Sequence, residues 1–187
     1  MGKPIAYQPH KLFIAVLYRP DRPYESVRRL IVRHFGPVDS SLEPQPFSFS
    51  SYYDAEMGPG LQRSLFSIEN LVDPSQLASL KETANRMEAA TANSEAGSFR
   101  RTVNLDPGLL SLSRVILATT KASAHRIPLR DGLHAEITLL YRRGSYSALE
   151  WTYPDFRSDS FLEWLAELRR RYHEQLRELD RSHPWRL

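Results

Sequence analysis

The sequence predicts an α+β fold: a ferredoxin-like β-α-β-β-α-β start, extended by an antiparallel hairpin and closed by a C-terminal helix. Three observations predict it. Short apolar runs of strand length alternate with two amphipathic helical stretches in the first half of the chain. The stretch from Phe99 to Tyr141 then holds the longest series of strand-like residues. Finally, Phe161, Trp164, Leu165, Leu168, Tyr172, Leu176 and Leu179 recur at helical spacing on one wide face.

Taken in order, Lys11–Tyr18 (KLFIAVLY) is nearly all apolar and reads as a strand buried on both faces. Arg19-Pro20-Asp21-Arg22-Pro23 breaks it, and a helix follows over Pro23–Phe35, with Val27, Leu30, Ile31 and Phe35 on one face and Gly36-Pro37 as its stop. Val38–Gln45 reads as a loop and Pro46–Ser50 as a short edge strand. Ser51–Gly60 is a polar, aromatic segment ending in a turn, and Gln62–Ile68 is a strand. Asp73 caps the second helix, with Pro74 in its first position, Gln76 completing a capping box and Leu77, Leu80, Ala84 and Met87 as its stripe. A small polar loop over Thr91–Gly97 leads to strands at Phe99–Leu105 and Arg114–Thr120, a hairpin over Ala124–Leu139, an aromatic loop over Tyr146–Arg157 and the last helix over Ser160–Leu179.

At 187 residues and 41% hydrophobic, the chain has enough apolar content for a real core, and one domain spanning 1–187 with a core over 11–180 is expected. There is no cysteine, which excludes disulfides, thiolate metal sites and a cysteine nucleophile. No run reaches the roughly twenty apolar residues of a membrane span, and Met1–Ala6 leads into the first strand without a signal-peptide core. A cytoplasmic location with no membrane partner is therefore expected. The net charge of +3 is too mild for a protein that coats nucleic acid. Lysine occurs only at positions 3, 11, 81 and 121, so nearly all of the cations are arginine, the better fork for phosphate and carboxylate.

The hairpin has two registers. A two-residue turn at Asp131-Gly132 sets Ile127 against Glu136, mixing apolar and acidic residues on one face. A three-residue loop, Arg130-Asp131-Gly132, puts Gly132 in the left-handed position and Arg126 across from Glu136. Ile127, Leu129, Leu133, Ala135, Ile137 and Leu139 then share an apolar face, and the second register is the one expected.

The polar residues of this region outline a basic pocket. Arg100, Thr102, Asn104 and Asp106 alternate along one strand and share a face, although Asp106-Pro107-Gly108 also reads as a turn that ends the strand. Lys121, His125 and Arg126 stand with hydroxyls on the next loop, a set that suits a phosphate or carboxylate. Asp106 and Lys121 emerge at the same end of the sheet if their strands run parallel, with the first strand between them. Tyr52, Tyr53 and Glu56 form a candidate wall for a base or ring. The ligand set is thus Arg100, Asn104, Asp106, Lys121, Arg126, Tyr53 and Glu56, with His125 and Glu136 as acid–base groups should a reaction occur. His125 or His134 with Glu136 and Asp106 would make a nitrogen–oxygen metal set, but no motif such as HExxH is present and no metal site is assigned. The phosphate loop GxxxxGK[ST], GxGxxG and GxSxG are all missing. Two functions follow: binding or processing of a phosphate-bearing ligand (a nucleotide or RNA end), or a non-catalytic interaction domain using a sheet face or Trp151–Phe156.

The pieces KLFIAVLY, FGPVD, FSFSSYYDAEMGPGLQR, VNLDPGLLSLSRVILATTK, HRIPLRDGLHAEITL and WTYPDFRS, in this order, span nearly the whole chain. With them the sequence resembles the bacterial and archaeal family called domain of unknown function 4416. Members are sometimes labelled GTP-binding proteins; the resemblance itself implies no reaction.

Overall fold

The computed structural model describes residues 6–95 and 98–182. Eight of its strands and four helices build the main body: β1 (His10–Tyr18), α1 (Tyr24–Phe35), β2 (Val38–Pro46), the short α2 (Asp54–Met57), β3 (Gln62–Val72), α3 (Leu77–Ala90), β6 (Val103–Leu110), β7 (Arg114–Thr119), β8 (Ile127–Pro128), β9 (His134–Arg142), β10 (Ser145–Ala148) and α4 (Asp159–Ser182), while β4 (Asn93–Glu95) and β5 (Ser98–Arg100) pair with each other in a separate ribbon. The main sheet has eight strands and runs β10-β9-β7-β6-β1-β3-β2, with β8 attached to β9. Every pairing in it is antiparallel. The α+β class, the antiparallel sheet and the closing helix are therefore as the sequence reads; the sheet is larger, and differently ordered, than a four-stranded β-α-β-β-α-β unit.

β1 sits at the middle of the sheet and is buried along its whole length. Alternation splits its side chains between two cores. Leu12, Ile14, Val16 and Tyr18 pack with Val27 and Ile31 of α1 and with Leu77, Ala84 and Met87 of α3. Phe13 and Ala15 pack on the opposite face with Trp164, Leu165, Leu168 and Tyr172 of α4. The result is three layers: α1 and α3, the sheet, and α4. Among the described residues no helix is long and apolar enough to cross a membrane.

Several local expectations change. Val38–Pro46 is a strand, not a loop; its Pro44 and Pro46 are tolerated because β2 is the edge of the sheet, and the ladder is irregular there. The strand expected over Pro46–Ser50 does not form beyond Pro46. The strand expected over Phe99–Leu105 breaks at Arg101 and Thr102, between β5 and β6. Asp106-Pro107-Gly108 is no turn: β6 runs through it to Leu110. Gly108 is required there because a Cβ would lie 2.2 Å from Cζ of Phe13. Ser145–Ala148 forms the strand at the edge opposite β2, taking up the first residues of the expected aromatic loop. Asp73 caps the 3-10 turn Pro74–Gln76 that leads into α3, accepting from the Ser75 N–H at 2.8 Å, while α3 itself starts at Leu77 without a side-chain cap. Of the polar loop over 91–97, residues 93–95 form β4, while Ala96 and Gly97, like Met1–Ile5, lie outside the described residues.

The hairpin keeps the expected register. Ile127 lies opposite Ala135 and Pro128 opposite His134, which puts Arg126 opposite Glu136. Leu129 and Leu133 close a loop of Arg130, Asp131 and Gly132, with Asp131 and Gly132 both left-handed. The single apolar face does not survive. β8 is only two residues long, Ile127 and Leu129 are exposed, and a register shift where β9 passes β7 sends Ala135 to one core and Leu139 to the other.

Candidate functional site

α4 covers only part of its face of the sheet. Beyond Phe156, where the chain runs from β10 to α4, lies a cavity of about 440 Å³. Its origin is a split between β6 and β7. Their ladder holds only from Leu110↔Val115 to Gly108↔Leu117. The next pairing would use the N–H of Pro107, which proline lacks. From there the two strands part. Leu105 shows what replaces the missing partner: its N–H donates to Glu88 Oε1 at 2.7 Å and its C=O accepts from Lys81 Nζ at 2.8 Å. Both side chains come from α3, so two helical side chains take the hydrogen-bonding role of an absent strand.

Around these two grows a charge network. Lys81 also donates to Asp106 Oδ1 at 3.0 Å, and Asn104 donates to Asp106 Oδ2 at 2.7 Å. Burial pushes the Asp106 carboxyl up, but Lys81 and Arg63 outweigh it and hold the group below its ordinary range. For Glu88 burial prevails, and the carboxyl is raised despite Lys81. Arg101 grips Glu56 of α2 with Nε and Nη2, at 2.5 and 2.6 Å, and Glu88 with Nη1 at 2.6 Å. The hydrogen bond from Arg101 depresses Glu56.

A second cluster stands on β9 and its hairpin. Glu136 is 1% exposed, and its Oε2 accepts from Arg126 Nε at 2.7 Å and lies 3.3 Å from His125 Nε2. The His125 ring stacks on Trp151 at 4.8 Å, and Trp151 is itself anchored to the Ile137 carbonyl. Arg126 Nη2 donates to the Tyr153 hydroxyl at 2.9 Å. Burial raises the Tyr53 and Tyr153 hydroxyls, so both remain phenols at neutral pH.

Of the residues singled out in the sequence, Tyr52, Tyr53, Asn104, Asp106, Lys121 and Glu136 line this cavity, while His125, Arg126 and Glu56 do not line it but bond to lining residues, the first two to Glu136 and the third to Arg101. Asp106 and Lys121 meet for a different reason from the one expected. β6 and β7 are direct antiparallel neighbours, with no strand between them. They converge because Asp106 is in the middle of β6 and not at its end. Arg100 is exposed and does not line the cavity; the break after it shifts the alternation, and Arg101 occupies the place expected for Arg100. Among the described residues no cluster of His, Asp and Glu could hold a metal ion.

Sequence reasoning missed Arg63, Lys81, Glu88 and Asp155. Lys81 and Glu88 had a signal: with Leu77 and Ala84 they recur at helical spacing on the buried stripe of α3, where charged residues need partners. Arg63 and Asp155 had none, since they meet only through the tertiary fold, as a buried ion pair between β3 and the turn before α4.

No curated protein and no solved structure matches the chain. The model of the family described as Domain of unknown function (DUF4416) matches residues 8–172, and with nearly the whole described fold inside that match, the chain belongs to this family.

Proposed function

We propose that the cavity binds a phosphate-bearing ligand, a nucleotide or a nucleic-acid end. Arg63 carries this reading. Its side chain is 10% exposed and lines the cavity; Nη2 is tied to Asp155, while Nε and Nη1 have no hydrogen-bond partner. Unmet buried donors are costly, about 1–3 kcal/mol and more for a charged group, and an anion in the cavity would relieve that cost. Lys121 adds a cation at the mouth. Its Nζ lies 3.9 Å from the centroid of Tyr52, and among the described residues no carboxylate pairs with it. Phe47, Tyr53 and Phe156 supply ring-sized apolar wall beside these charges.

For a processing role, His125 is the group able to exchange a proton. Glu136 already accepts from Arg126, so it orients the imidazole and is not itself the acid. At the level of fold, the run β6-β1-β3-β2, crossed over by α1 and α3, supports reading that half of the sheet as ferredoxin-like.

Calorimetric titration with adenosine, adenosine 5′-monophosphate and inorganic phosphate tests the binding. The monophosphate binds and adenosine does not, or does so far more weakly. Arg63→Gln weakens the monophosphate by roughly ten- to a hundredfold, the loss of a charged hydrogen bond. If no phosphate compound binds, the reading is wrong.

A further inference from the structure

We infer that the ligand is the terminal nucleotide of a single-stranded nucleic acid, with the next base lying on an aromatic rim outside the cavity. The inference rests on the phosphate reading above and narrows it from any nucleotide to a chain end. The rim consists of Tyr52, Phe49, Tyr153 and Trp151, which are 64%, 46%, 41% and 37% exposed. Phe49, Tyr52 and Tyr153 line the same cavity, and Phe49 and Tyr52 are linked through Phe47 and Tyr53. Phe49 lies 5.9 Å from Phe47, Phe47 6.4 Å from Tyr53 and Tyr53 5.1 Å from Tyr52, centroid to centroid. Tyr153 is fixed by Arg126, and Trp151 by its bond to Ile137 and its stack on His125.

Single exposed rings are ordinary, but three of them, Phe49, Tyr52 and Tyr153, around one charged cavity mark an interaction site. Two further facts select the partner. Lys121 is exposed and held against Tyr52, so a cation stands beside the first rim ring, where the phosphate joining a second nucleotide would pass. A cavity of about 440 Å³ is near the small end for ligand pockets and has room for one nucleotide-sized molecule, so any second unit must cross the rim. Bases stack on aromatic side chains whatever their sequence. An acidic peptide would call for more exposed cations and fewer rings.

The test titrates the full chain with adenosine 5′-monophosphate, with short 5′-phosphorylated oligoadenylates of RNA and DNA, and with an oligoglutamate peptide. At least one oligonucleotide binds about fivefold or more tighter than the monophosphate, the gain of one stacked base, and with a steeper loss on adding salt. The combined variant Phe49→Ala, Tyr52→Ala narrows that gap by weakening the oligonucleotide more than the monophosphate. Circular dichroism confirms that it folds, and Trp151→Phe, which keeps a ring, retains the gap. Equal affinity for monophosphate and oligonucleotide overturns the inference and leaves the phosphate reading standing. A gap that persists without Phe49 and Tyr52 also overturns it, as does tighter binding of the peptide. Failure of every phosphate compound to bind removes both.

Discussion

Glu88 Oε1 accepts the backbone N–H of Leu105 at 2.7 Å, a donor that a continuing β7 would otherwise have taken. The same carboxylate holds Arg101, and its Oε1 lies 3.8 Å from Lys81 Nζ. Glu88→Ala therefore orphans a buried amide and takes one carboxylate partner from both Arg101 and Lys81. The expected loss is about 3–5 kcal/mol, the range for breaking a buried pair, read from urea unfolding. Glu88→Gln keeps an acceptor for Leu105 and removes a charge that burial disfavours, so it loses clearly less. An equal loss in both variants would mean that the charge, not the backbone acceptor, is what β6 needs.

Gly108→Ala pushes a methyl into the Phe13 ring, whose Cζ would lie 2.2 Å away. Overpacking of this kind costs about 1–3 kcal/mol. Phe13 is fully buried against α4, so its ring cannot swing out. Phe13→Leu makes room, and the double variant should be less destabilised than the two single losses added together. Additive losses in a double-mutant cycle would show that strain in β6, and not the ring, excludes alanine.

How far the fold could be read from the chain follows from where each signal lies. β1 and the three long helices declare themselves because a long apolar period has one interpretation. The Arg126–Glu136 pairing was legible because only one hairpin register separates polar from apolar residues near the loop. Asp106-Pro107-Gly108 misled because its residues are turn formers, while here each answers a tertiary demand: Asp106 meets Lys81, Pro107 faces the split, and Gly108 admits Phe13. β2 was hidden by its prolines, which an edge strand tolerates. The pocket was half legible. Its hairpin residues are close in sequence, whereas Arg63 and Asp155 are 92 positions apart and share no local pattern.

Acid should act on this network in two opposed ways. Asp106 is held below its ordinary 3.8 in the fold, so its contribution is present above that value and is lost as pH falls through the lower folded value. Glu88 is raised above its ordinary 4.5, so its contribution is greatest below 4.5 and is lost as pH rises through the higher folded value. Thermal melts across acid pH should therefore show Asp106→Asn flattening the limb below 3.8 and Glu88→Gln flattening the change just above 4.5. The reverse assignment would mean that Lys81 favours Glu88 over Asp106.

Arg126→Ala leaves Glu136, 1% exposed, without its strongest partner. A loss of about 3–5 kcal/mol is expected. Arg126→Ala with Glu136→Gln removes the stranded charge and should recover a large part of it. His125→Ala should cost much less, because its 3.3 Å contact is the longer of the two that Glu136 Oε2 makes. A large loss in His125→Ala, measured by urea unfolding, would make the imidazole the structural partner and take away its freedom to exchange protons.

The Arg101–Glu56 pair ties α2, and with it Tyr52 and Tyr53, across the cavity. The side chain of Glu56 is 38% exposed, so water screens the pair and its share of global stability is small, about 0–1 kcal/mol. Its effect should instead be local. Arg101 stays bound to Glu88 when Glu56 is neutralised, so the network beneath α2 persists. Glu56→Gln should then speed amide hydrogen exchange at Tyr53–Gly58 several-fold while the melting temperature hardly moves. Arg101→Ala, by contrast, frees α2 and strands Glu88, and should lower the melting temperature as well. If Glu56→Gln leaves exchange over α2 unchanged, the packing of Met57 with Leu17 and Leu61 holds the segment, and the ion pair is no latch.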